Sequence, residues 1–218
     1  MTTVRRTPRG QRTYDALVEA GRRVFERDGF LNARITDIAS EARVAHGTFY
    51  THFATKEELF RVVASSVLSK TAPTTREIEY RDTDQVARGI VRSTRRYLVR
   101  YRENAALMGV IEQVATFDPG VQEMLTERSK AYLARTEAHI LAVGRLGVLP
   151  EGLDPYSTAI ALTSMVSRTA YSLFVGNPAV TKPVDFDQSV RTLSMLWGAA
   201  LGLTIPPEAV DGSPAAKE

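Results

Sequence analysis

Residues 30–60 read FLNARITDIASEARVAHGTFYTHFATKEELF. Two short helical patterns, Thr36–Ala42 and His46–His52, flank Arg43-Val44-Ala45. Ile38, Ala39, Val44, Phe49 and Phe53 supply the apolar side chains of a small core, which Phe25 and Leu59 on the flanking helices can close. Two short helices joined by a turn of three or four residues is the helix-turn-helix plan. A helix as short as 46–52 has no independent stability in water. Its neighbours must hold it, and the pattern puts Phe49 and Phe53 inward for that purpose.

The remaining side chains of the second helix are polar or small. In this plan the second helix enters the DNA major groove and offers its first residues to base edges. His46, Gly47, Thr48, Tyr50 and Thr51 are the outward candidates, with Gly47 allowing close backbone approach. Tyr50 and His52 are short-reach donors of the kind that grip the phosphate backbone. Thr36 at one helix start and Lys56 at another can hold phosphates, because helix N-termini carry free N–H groups and Lys adds a full charge. Thr55 and Glu58 have the spacing of a capping box for the next helix.

At this point the chain resembles the TetR family of transcriptional regulators. The family run Gly-Thr-Leu-Tyr-x-His-Phe-x-x-Lys-x-x-Leu stands here as Gly47 to Leu59, with Phe49 in the Leu place; Gly29-Phe30 and Thr36-x-Ile38-Ala39 also match. The resemblance covers about residues 10–70. It departs at Ala45, where the family often has Ser or Thr, and at His46, where many members have Lys, Arg or Gln. It implies a three-helix DNA-binding domain followed by an all-helical regulatory domain whose last two helices pair with a second subunit. It also implies a palindromic double-stranded operator and a small-molecule effector that moves the two heads out of register. The expected assembly is therefore a homodimeric repressor.

The rest of the chain fits an all-α fold of about nine helices, expected near 9–28, 35–42, 46–52, 55–70, 84–102, 104–117, 119–146, 155–176 and 186–203. Asp82 with Gln85 and Asp185 with Gln188 have capping-box spacing, and Asp118-Pro119 and Asp154-Pro155 set an N-cap before a helix-starting proline. The expected division is an arm and helix-turn-helix domain over 1–54, a ligand-binding and dimerisation domain over 55–207, and a disordered tail over 208–218. The 218 residues carry 28 Lys and Arg against 25 Asp and Glu. By count, 23 of the basic residues are Arg. Arg5, Arg6, Arg9 and Arg12 make the first twelve residues basic. Arg88, Arg92, Arg95, Arg96 and Arg100 lie opposite Val86, Ile90, Tyr97, Leu98 and Tyr101 on an amphipathic helix, which reads as a solvated face.

The absence of cysteine excludes disulfides, thiolate metal sites and cysteine nucleophiles. No GxSxG, GxGxxG, P-loop or HExxH run occurs, and His46, His52 and His139 have no metal-clamp spacing, so neither an enzyme nor a cofactor or metal is expected. The start lacks the apolar core of a signal peptide and no run is long enough to span a bilayer; a cytoplasmic protein with no membrane partner is expected. For the effector pocket the candidates are Tyr97, Tyr101, Met108, Glu112, Phe117, Met124, Tyr132, Tyr171 and Phe174. Glu112 among apolar residues suggests a cationic or hydroxylated ligand. For pairing, Ala159, Leu162, Val166 and Ala170 join Val190, Leu193, Trp197 and Leu201. The competing reading is a DNA-binding protein whose C-terminal domain recruits a protein and senses no ligand.

Overall fold

The helix starts show why the chain folds where it does. In the computed structural model, which describes residues 7–70 and 79–207, Asp82, Asp154 and Asp185 each accept a hydrogen bond from the backbone N–H three residues on, at 2.7–2.8 Å. Asp118 does the same for Val121 at 3.0 Å. These carboxylates satisfy amide groups that have no partner within the helix. The described residues form nine helices and no strand: α1 Pro8–Asn32, α2 Ile35–Glu41, α3 His46–Tyr50, α4 Lys56–Lys70, α5 Thr83–Glu103, α6 Ala105–Ala115, α7 Pro119–Gly144, α8 Pro155–Phe174 and α9 Phe186–Ala200. Arg5, Arg6 and the tail expected over 208–218 lie outside the described residues. No described helix is long and apolar enough to cross a membrane.

The chain divides into two packing units. Of the described residues, the first holds 7–70 and 106–126, and the second holds 79–105 and 127–207. In the first, α1 packs on α2 and α4, and α2 on α3. Gly21 lets α1 and α4 close together: a Cβ there would stand 2.7 Å from Leu59 Cδ2. Near its end α1 breaks at Gly29, whose φ of 73° and ψ of 174° leave the helical region. That left-handed step suits glycine alone. It aims Phe30 back into the core, 5.9 Å from the ring of Phe25 and 5.0 Å from that of Phe60. Arg61 of α4 grips Asp118 at the head of α7 through two contacts of 3.1 and 2.8 Å. This hydrogen-bonded guanidinium, with the Val121 amide, holds the buried Asp118 carboxyl below the usual carboxylate range.

In the second unit α5 lies along α9 and α8. Its inner stripe of Val86, Ile90, Val91, Leu98 and Tyr101 is buried. Arg88 pairs with Asp84 on its outer side, whereas Arg95, expected on the solvated face, is half-buried against α9, where it pairs with Asp187.

Candidate functional site

The turn between α2 and α3 is built from backbone bonds. The Val44 N–H donates to the Ala39 carbonyl and the Arg43 N–H to the Ser40 carbonyl, both at 3.0 Å. This is the Schellman closure of a helix, and its left-handed position falls on Arg43, with φ 56°. The chain then enters α3 through Ala45, which supplies no side-chain cap. Five residues without a cap cannot hold themselves helical. Phe49 does it, with 0% exposure, assisted by the buried Phe53 at 5.8 Å. Burial of one such ring stabilises by about 1.5–3 kcal/mol.

With Phe49 inward, the outward face is fixed. His46, Gly47, Tyr50 and Thr51 are exposed, Thr48 is half-buried, and Tyr50 shows 52% of its surface. The rings of His46 and Tyr50, one turn apart, meet edge to face at 5.4 Å. His52 is half-buried with its ring edge-on to Tyr14 at 6.3 Å, while Tyr14 stacks on Phe53 at 5.0 Å. Thr36 is exposed in the first turn of α2, one residue inside the helix start. Lys56, expected to hold phosphate, is engaged within the chain. Its ammonium donates to the carbonyls of Phe30 and Ala33, at 2.8 and 2.9 Å, and lies 4.5 Å from the centre of the Phe30 ring. The next helix start is also offset from the expected box. Thr55 Oγ1 accepts from the Glu58 N–H, but the Glu58 carboxylate reaches Ala54, one residue further back.

Two cations join this surface that the spacing argument passed over. Arg34 and Arg43, on either side of α2, are exposed and have no carboxylate partner among the described residues. The more distant Arg22, Arg23 and Arg27 are all engaged by acids. The signal was available in the sequence as Arg residues flanking a short helix with Asp37 and Glu41 inside it.

Against known proteins, the sequence model of bacterial regulatory proteins of the tetR family matches residues 17–63, the segment that holds α2 and α3. Over that segment the chain is similar to the tetR family. The HTH-type transcriptional regulator EthR of Mycolicibacterium smegmatis is 23% identical over 210 residues, covering 92% of this chain and 95% of its own. A TetR-family transcriptional regulator from Mesorhizobium loti shares the fold at a TM-score of 0.61 and 19% identity, over 94% of this chain and 96% of its own. A transcriptional regulator from Saccharomonospora viridis does so at 0.65 and 16%, over 83% and 92%. The described residues are thus all-helical and share their fold with TetR-family transcriptional regulators.

The residues expected to line an effector pocket are divided between the two units. In the second, the ring of Tyr97 lies 6.0 Å from Tyr101 and 5.7 Å from Tyr132, and Tyr101 lies 6.4 Å from Phe174. Burial raises the Tyr132 hydroxyl above its usual range, against the pull of Arg128. Tyr171 is half-buried beneath the Arg168 guanidinium at 5.0 Å. Met108, Glu112, Phe117 and Met124 fall in the first unit. Met108 is packed in its core, and Glu112 and Met124 are half-buried. Phe117 is 53% exposed, beside Phe30 at 5.9 Å.

The expected pairing residues need a larger correction. Ala159, Leu162, Ala170, Val190, Leu193 and Leu201 are buried within the chain itself, so they cannot present a pairing surface; Val166 and Trp197 are half-buried. The exposed large apolar residues of α8 and α9 are Tyr156, Ile160, Met195 and Leu196.

Proposed function

We propose that this chain acts as a TetR-family homodimeric repressor that sets two copies of α3 into a palindromic operator and leaves it when a small molecule binds the second unit. The observation that carries the reading is the sidedness of α3, with Phe49 wholly inward and His46, Gly47, Tyr50 and Thr51 outward. In this arrangement His46, Gly47 and Thr48 face base edges, while Thr36, Tyr50, Thr51 and His52 hold the sugar–phosphate backbone, supported by Arg34 and Arg43. A single five-residue helix reaches few base pairs. Linking two heads raises effective concentration and sets half-sites about 34–36 Å apart, or a multiple of that.

Pairing of Tyr156, Ile160, Met195 and Leu196 would remove the most exposed large apolar residues of α8 and α9 from water. The Saccharomonospora viridis relative was solved in complex with choline, which supports a small-molecule effector for this chain too.

The test is selection of bound duplexes from a random pool by the full chain, with molar mass measured by light scattering. Enrichment of an inverted repeat and a mass of twice 24.1 kDa are expected. Enrichment of no motif, or of a single non-repeated half-site bound by a monomer, overturns the reading.

A further inference from the structure

We propose that the cleft between the end of α8, the α8–α9 connection and the C-terminal end of α5 binds a small amphipathic monoanion: an apolar body carrying one carboxylate. The cleft encloses about 460 Å³, and all of its lining residues belong to the second unit. That volume lies within the ~300–1,000 Å³ range of small-molecule sites.

One side of the cleft is apolar. The rings of Phe174 and Phe186 stand 6.4 Å apart with their planes at 37°. Val180 and Val184 of the connection extend this wall and remain substantially exposed. The other side is cationic. Arg102 lies over the Phe186 ring at 4.5 Å, which holds its guanidinium against the aromatic wall. Lys182 enters from the connection. Neither has a carboxylate partner among the described residues, and no Asp or Glu lines the cleft.

The acids beside the cleft are already engaged. Asp185 Oδ1 accepts from the Gln188 N–H at 2.8 Å, and Asp187 Oδ1 stands 2.6 Å from Arg95. The neutral polar groups are bonded within the chain as well. Asn177 Nδ2 donates to Ser172 Oγ at 3.2 Å, its Oδ1 accepts from the Ala179 N–H at 3.0 Å, and the Ser189 hydroxyl donates to the Asp185 carbonyl at 2.8 Å.

The charge set decides the ligand class. An amine would meet two like charges. A neutral apolar molecule would strip water from two cations and give nothing in return. An inorganic anion would leave the aromatic wall unused. A carboxylate on an apolar body satisfies both sides, with charge-assisted bonds to Arg102 and Lys182. Binding stands on the cleft alone; its use as an effector site rests on the repressor reading.

The experiment titrates the full chain by calorimetry with three probes of one shape: 4-phenylbutyrate, 4-phenylbutylamine and 4-phenylbutanol. One phenylbutyrate per chain is expected, with the amine and alcohol at least tenfold weaker. Arg102→Gln and Lys182→Gln are each expected to weaken phenylbutyrate at least fivefold and to leave the alcohol unchanged. Phenylbutyrate binding both variants as tightly as the parent, or the amine matching the acid, overturns the site. A gel shift on the same samples is read separately. Acid binding that leaves the DNA complex intact supports the site and removes its link to release, whereas failure of the parent to bind any duplex counts against the repressor reading only.

Discussion

The ammonium of Lys56 lies 2.8 Å from the carbonyl oxygen of Phe30, across 26 residues of sequence. With its second contact, to Ala33, it satisfies two carbonyls at the end of α1 that the helix itself leaves without donors. A cation at a helix C-terminus also meets the favourable end of the dipole. Lys56 thus fastens the start of α4 to the end of α1, on the scaffold that presents α3.

Lys56→Ala is therefore expected to cost about 1–3 kcal/mol of stability, as buried acceptors lose a charged donor. Denaturant unfolding of the full chain reads it directly. An unchanged midpoint together with weakened DNA binding would mean that Lys56 serves phosphate alone.

The contact between His46 and Tyr50 makes their contributions to DNA binding non-additive. Tyr50→Phe keeps the ring and loses the hydroxyl, so affinity should fall for all duplexes alike and the selected consensus should stay. His46→Ala should relax the consensus at one half-site position. Tyr50→Ala should do both, because it also removes the wall behind the imidazole. Site selection with the three variants checks this, and an unaltered consensus for His46→Ala removes it as a reader.

Arg43 occupies a left-handed backbone position that costs a residue with a Cβ roughly 1 kcal/mol. Arg43→Gly should raise stability by about 0.5–1 kcal/mol. It should also lower DNA affinity and flatten its salt dependence, since an exposed cation is lost. Thermal melts and gel shifts at two salt concentrations separate the two effects. Retained affinity would take Arg43 out of the phosphate contacts.

His139 is hydrogen-bonded to the Tyr80 hydroxyl. Burial, and secondarily Arg135, lower its pKa to about 4. The unfolded chain takes up this proton near pH 6.5 and the folded chain only near 4. Stability is then full above about pH 6.5 and declines as pH falls toward 4, by about 1–2 kcal/mol after allowance for solvent around the ring. His139→Gln should flatten that segment of the stability–pH curve. An unchanged slope in the variant would mean that other groups carry the acid sensitivity.

Met195 is 54% exposed whereas Val190 on the same helix is buried. Met195→Glu should yield a folded monomer by light scattering, and Val190→Glu should unfold the second unit instead. A Met195→Glu chain that keeps twice the monomer mass places pairing elsewhere.

These contrasts show how far the sequence speaks. Helix positions and caps were legible because they rest on signals up to four residues apart: Asp82 and Gln85, Asp154 and Pro155, Asp185 and Gln188. The outward set of α3 followed from Phe49 and Phe53 by the same local arithmetic. Lys56 was not legible, because its partners, the carbonyls of Phe30 and Ala33, lie far upstream and beyond the break at Gly29. The pairing face failed for another reason. Helices α8 and α9 are apolar on more than one side, with Val190 and Leu193 turned inward and Met195 and Leu196 outward. Periodicity finds such stripes but cannot say which of them meets the chain's own core. The effector candidates scattered because tyrosines and methionines at helical spacing look alike whether they pack a core or border a cleft.

The five-residue α3 is anchored by a single fully buried side chain, Phe49. Folding and recognition therefore draw on different codons. Substitutions at His46, Gly47, Tyr50 or Thr51 leave that anchor in place, so a duplicated gene could be retuned toward a new promoter in a few steps without rebuilding its scaffold.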